Sequence, residues 1–226
     1  MIMGSLPKAG FLLRIARNKR SFSSHLHYQL KAARKIIPPE QWDDLLRDVG
    51  LGQYSKEEDW PPLVDQFTIP PEAFALLARA VMFSNPGQPL QQVYDWANQV
   101  EADTLQKAAL IFLMQQIPKI IGADRTMRTL LNVLMGEVDS RRGEKLTEWK
   151  RLQDGSFIFV FYSNIFAYSI MGAEQSQCVM WQSSFDLILK LVKQQQHWHI
   201  REVECSAQTH SGHCVFMISP RVPQLP

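Results

Sequence analysis

Three sulfurs and one acid near the end of the chain are the residues best spaced to do chemistry. Cys178, Glu202, Cys205 and Cys214 follow the spacing C-x23-E-x2-C-x8-C, and every cysteine of the 226-residue chain lies in its last 49 positions. Thiolates and a carboxylate can close a four-coordinate Zn2+, with Zn–S bonds of about 2.3 Å. A set with four protein ligands leaves no position for a reacting water, so the expected role is a structural zinc that staples the fold. Other readings of the same residues stay open. His197, His199, His210 and His213 crowd this region; His210 or His213 in the turn could replace Glu202, and Glu204 is a second candidate carboxylate. Strict strand alternation would put Glu202 and Cys205 on opposite faces, so a bulge or a strand end must re-aim one of them. Buried cysteines also serve as small core residues without any ligand.

The remaining chemical signals are weaker. Phe157, Phe159 and Phe161, with Phe166 and Trp181, could wall a pocket for a flat hydrophobic ligand such as a tetrapyrrole, or could simply fill a strand core. His25 and His27 are lone histidines on a basic helix, where a surface role is commoner than haem ligation. No P-loop, G-x-G-x-x-G, G-x-S-x-G or H-E-x-x-H pattern occurs. A nicotinamide-dependent reductase would need a phosphate-cradling glycine loop, so the sequence argues against an enzyme. An odd number of cysteines without an export signal also argues against a disulfide framework.

Charge is nearly balanced at +2, yet the first 39 residues hold Lys8, Arg14, Arg17, Lys19, Arg20, Lys31, Arg34 and Lys35 and no acid. Such an arm suits an anionic surface or an acidic protein partner; nucleic acid is disfavoured, since no recognition motif accompanies it. No apolar run approaches the roughly 20 residues that span a bilayer, which places the chain in the cytoplasm, with a peripheral membrane association open.

The elements that must position these residues follow from periodicity. Helical spacing is expected over 22–37, 40–49, 71–84, 89–101, 103–121 and 125–138, with Pro38-Pro39, Gly50 and Asn85-Pro86-Gly87 as breaks. Residues 51–71 read as a charged, proline-rich loop. The pattern then turns to strands at 144–151 and 157–162 about an Asp154-Gly155 hairpin. A helix is expected over 177–193, then strands at 197–205 and 214–218. Phe157–Tyr162 is expected to be buried on both faces or to line a cavity. The fold class is therefore α+β: a helical N-terminal half packed on a small antiparallel sheet of C-terminal β-hairpins. The division is a basic arm over 1–21, one domain over 22–220 (helical part 22–140, β-rich metal-binding part 141–220) and a tail over 221–226.

The segment Cys178–Ile218 resembles the C-terminal part of the 4-vinyl reductase domain. The resemblance rests on Cys178, Glu202, Cys205, Ala207, Gly212, Cys214 and Phe216, matching a Cys at a helix start, E-x-x-C with an Ala two residues on, a turn Gly and a closing C-x-F. It implies a domain related to haem-NO-binding sensors and vesicle-tethering subunits, with a ligand pocket between helices and sheet and a tendency to form homodimers. The expected function is a stand-alone small-molecule-binding protein. It would carry a tetrapyrrole or other hydrophobic ligand, or assist assembly in pigment metabolism or photosystems. A vinyl reductase of (bacterio)chlorophyll synthesis and a dimeric interaction scaffold without ligand are the alternatives. The turn Thr209-His210-Ser211-Gly212 departs from the Gly-Asp frequent in that family.

Overall fold

The computed structural model describes residues 21–64, 66–70, 72–105, 109–142, 144–162 and 178–221. The amphipathic stretches fold as helices. In α1 (Ser23–Ile36), Leu26, Leu30 and Ala33 recur on one face and are fully buried. Next, α2 (Trp42–Asp48) has Asp43 and Asp44 in its first turn, where the helix dipole favours acids, and Gly50 beyond its end at φ +82°. Both α3 (Glu72–Phe83) and α4 (Pro89–Leu105) pack on α1. Together they enclose a first core around Trp42, Phe74, Leu77 and Trp96.

The expected helices at 103–121 and 125–138 are the two parts of α5 (Ala109–Arg142), which breaks between them at Gly122, where φ is +75°. That left-handed backbone interrupts the helical path and suits glycine. The stretch 51–71 is more than a loop. It contains 3-10 turns at Gly52–Tyr54 and Glu57–Asp59, and β2 (Phe67–Ile69) pairs antiparallel with β1 (Ser21–Phe22). A three-residue strand carries no period that sequence reading can detect. The basic arm up to residue 20 and the tail beyond 221 lie outside the described residues, as does Phe166.

The second half is the expected antiparallel sheet. Strands β3 (Thr147–Arg151), β4 (Phe157–Tyr162), β5 (Trp198–Glu204) and β6 (His213–Pro220) stand in the order β3-β4-β6-β5. The Asp154-Gly155 turn forms as read: Ser156 N–H donates to Asp154 Oδ1 at 2.9 Å, and Gly155 takes φ +85°. Strand β4 is not buried on both faces. Phe157, Phe159 and Phe161 face the core, while Ile158, Val160 and Tyr162 are half-buried, because the core elements α5 and α6 lie on one side of the sheet. Helix α6 (Val179–Leu191) joins the halves: Met180 enters the first core, Phe185 and Leu189 the second. Between them, Ser183 Oγ donates to Tyr94 O at 2.9 Å, and Tyr94 Oη to Asp186 Oδ2 at 3.3 Å. No described helix is long and apolar enough to cross a membrane.

Candidate functional site

Three elements deliver the four residues of the C-terminal spacing to one point. Cys178 is the residue before α6, its carbonyl accepting the N–H groups of Trp181 at 3.0 Å and Gln182 at 3.1 Å. Cys205 follows β5 directly, and Cys214 is the second residue of β6. Glu202 would face away from Cys205 in a regular strand. The register supplies the required bulge: Glu202 pairs with Phe216 and Glu204 with Val215, so Val203 is an extra residue and is pushed outward to 44% exposure. The hairpin closes through the short helix α7 (Ser206–Thr209), with His210 at φ +56° and Gly212 at φ +81°.

The resulting geometry is tight. Cys178 Sγ lies 3.0 Å from Cys214 Sγ and 3.7 Å from Cys205 Sγ, and one donor atom from each of the four residues falls within 4.8 Å of all the others. Cys178 N–H donates to Glu202 Oε2 at 3.3 Å, and Ser206 N–H to Cys214 Sγ at 3.4 Å. All three cysteines are buried. Glu204 and the histidines go elsewhere. Glu204 turns outward and meets His213 Nε2 at 3.2 Å, while His197, His199 and His210 are exposed.

Electrostatics define the state of this cluster without a cation. Burial is the main cause pushing the Cys178 thiol well above its usual range, and its hydrogen bonds to Cys205 and Cys214 add to that. The Cys178 hydrogen bond pulls Cys214 down, but the Cys205 hydrogen bond and burial outweigh it. Burial pushes the Glu202 carboxyl up to about 8. The cluster is thus a neutral, hydrogen-bonded knot that could exchange its protons for a cation.

The aromatic residues pack ring against ring: Phe157 on Trp198 at 5.4 Å, Phe159 on Phe185 at 5.3 Å, Phe161 on Trp181 at 4.6 Å. The neighbouring cleft has other walls. Met127, Leu130, Leu131 and Leu134 of α5 face Phe185, Ile188 and Leu189 of α6 and Ile200 of β5, around about 250 Å³ that includes its open mouth. Sequence reading missed this cleft. Its walls come from three elements, each showing only ordinary helix or strand periodicity.

No family model and no curated protein matches the chain. Solved structures do. A domain from work on haem distortion in the H-NOX family aligns at TM-score 0.55 and 10% identity, over 90% of this chain and 97% of that one. A mutant of the T. tengcongensis H-NOX aligns at 0.52 and 12%, over 87% and 96%. An oxygen-binding H-NOX domain related to soluble guanylate cyclases aligns at 0.51 and 11%, over 89% and 95%. At these identities the likeness is one of fold.

Two expectations are corrected. The resemblance to the 4-vinyl reductase domain does not stand: no such family model matches, and the structural neighbours are H-NOX domains. Its seven matching residues constrain one hairpin and one helix start, whereas the structural likeness spans nine-tenths of the chain. The structural zinc does not stand as the cofactor either, since the neighbours sharing the fold are described by haem. Among the described residues, this cleft is not lined for haem. The cleft lining offers no His, Tyr or Cys as an axial ligand, only Met127. His27 Nδ1 is engaged with Pro61 O at 2.8 Å, and His25 packs on Phe74, both in the helical half.

Proposed function

We propose that this chain is a small-molecule-binding domain on an H-NOX-like fold, with an apolar ligand site in the α5–α6–β5 cleft and a thiophilic cation centre at Cys178, Glu202, Cys205 and Cys214. The observation that carries the reading is the convergence of four donor atoms, from segments up to 36 residues apart, within 4.8 Å. Sulfur-rich donor sets select soft cations over Mg2+ or Ca2+.

The two sites share α6, whose first turn follows Cys178 and whose middle supplies Phe185, Ile188 and Leu189 to the cleft. A packed helix moves as a rod, so occupancy at one end biases the wall at the other, as a sensor requires. As it stands the cleft has enclosed room for about one water molecule, so a ligand must part its walls to enter, and drug-sized ligands, which need roughly 300–1,000 Å³, do not fit. That favours a compact apolar ligand over a tetrapyrrole.

Cobalt(II) titration tests the centre. The purified chain should bind one equivalent with the near-ultraviolet absorbance of thiolate-to-metal charge transfer, and Cys205→Ser should lose that band. A parent protein showing no such band overturns the cation centre. For the cleft, the fluorescence of an anilinonaphthalene sulfonate probe should rise on binding and be lost in Leu130→Trp, which fills the cavity. An unchanged probe response in that variant would move the ligand site elsewhere.

A further inference from the structure

The face of the sheet turned away from the core carries a pattern the binding sites do not use. The register sets its side chains in rows. One row runs Glu148, Val160, Val215, Glu204 across β3, β4, β6 and β5; the next runs Lys150, Ile158, Met217, Arg201. Acids hold both ends of the first row and bases both ends of the second. Between them lies an apolar square of Val160, Val215, Ile158 and Met217, all only half-buried, with Val203 exposed beside it.

Three of the four charged ends, Glu148, Glu204 and Arg201, are held in place within the chain. Tyr162 Oη donates to Glu148 Oε1, His213 Nε2 meets Glu204 Oε1 at 3.2 Å, and Arg201 Nη2 reaches Met217 Sδ at 3.8 Å. Groups fixed before association lose less entropy on binding.

We propose that this face binds the same face of a second copy of the chain. With their strands aligned, two sheets stacked about 10 Å apart through a two-fold axis can be arranged in two ways. An axis parallel to the strands keeps the rows level and sets β3 over β5. It would place Glu148 over Glu204 and Lys150 over Arg201, like charge on like. An axis across the strands sets β3 over β3 and β5 over β5 and exchanges the rows. Glu148 then meets Lys150 of the other copy and Glu204 meets Arg201, each pair twice, around eight apolar side chains. The charges therefore select one symmetric arrangement and oppose the other. The surface is separate from the cation centre, which faces the core side of the same sheet.

Sedimentation of the full chain across a concentration series tests this. The parent should dimerise. Val160→Glu should lose the dimer while keeping the parent's circular dichroism. Lys150→Glu should weaken association at least about tenfold by setting acid on acid. The double variant Glu148→Lys/Lys150→Glu restores alternation between copies and should recover it. These two positions are exposed, so the comparison survives if Val160→Glu fails to fold. A parent that stays monomeric to about 100 µM, a Val160→Glu dimer as tight as the parent's, or a double variant no tighter than the single one would overturn the proposal.

Discussion

The helical half and the sheet half treat their buried polar groups in opposite ways. In the helical half every described indole N–H is satisfied by a backbone carbonyl: Trp42 by Ser55 at 2.7 Å, Trp60 by Tyr54 at 2.8 Å, Trp96 by Gln29 at 3.0 Å. The exception there is Gln29 Oε1. In the sheet half, Trp181 Nε1, Trp198 Nε1 and Ser206 Oγ are buried without a protein partner, beside three buried thiols and a carboxyl held mostly protonated below pH 8. A buried polar group left unpaired costs about 1–3 kcal/mol. The first core is closed on itself. The second leaves open valences: Trp181, packed on Phe161, and Ser206, whose N–H reaches Cys214, lie by the cluster, and Trp198 lies at the other end of β5.

The comparison can be broken most directly in the helical core. Trp42→Ala should cost about 3–5 kcal/mol of unfolding free energy, because it removes a fully buried ring and an indole hydrogen bond. Urea denaturation measures it, and the loss should be the same with or without cobalt. In the sheet half the largest effect should come from Glu202, which the bulge at Val203 brings to the sulfurs. Glu202→Gln removes the carboxylate from the four donors and leaves the strand register as it is. Cobalt affinity should fall about a hundredfold, roughly 2.7 kcal/mol, by competition titration. Retained affinity would mean that Glu202 is not a ligand.

Two smaller effects sharpen the contrast. Trp96→Phe loses a buried indole hydrogen bond to the Gln29 carbonyl, whereas Trp198→Phe loses none. The first should be the more costly by about 1 kcal/mol in chemical denaturation. Equal costs would erase the distinction between the halves. At the junction, Tyr94→Phe should cost about 0.5–1.5 kcal/mol through its bond to Asp186. Burial, then Asp186, raises the Tyr94 phenol above its usual value near 10. A raised folded value means the phenol's contribution is complete below the unfolded value and is lost as pH rises through the folded one. The parent should therefore lose stability above about pH 10, and Tyr94→Phe should flatten that loss.

Much of the fold was legible because long elements bury one face and must show a period. The helices at 23–36, 72–83 and 179–191, the Asp154-Gly155 turn and the strands about it were read within a few residues. The demand for a bulge between Glu202 and Cys205 was legible too, since alternation makes it unavoidable if both side chains serve one point. What escaped had no period: the three-residue β2, the cleft, and the one-sided burial of β4. The resemblance drawn from seven residues over 178–216 misassigned the family, because a local motif says little about the rest of the chain.

By itself the sequence determined the α+β class, the order of its elements and which donor types gather in the last quarter of the chain. These follow from local propensity and burial period, which act between neighbours along the backbone. Only the tertiary structure decided that Glu202, and neither Glu204 nor a histidine, stands with the three sulfurs. It also decided that the cleft is walled by Met, Leu and Ile side chains together with Phe185, and that acids and bases alternate in rows on the outer face. Those outcomes depend on strand register and on how α6 crosses the sheet, and both are set by packing between segments far apart in the chain.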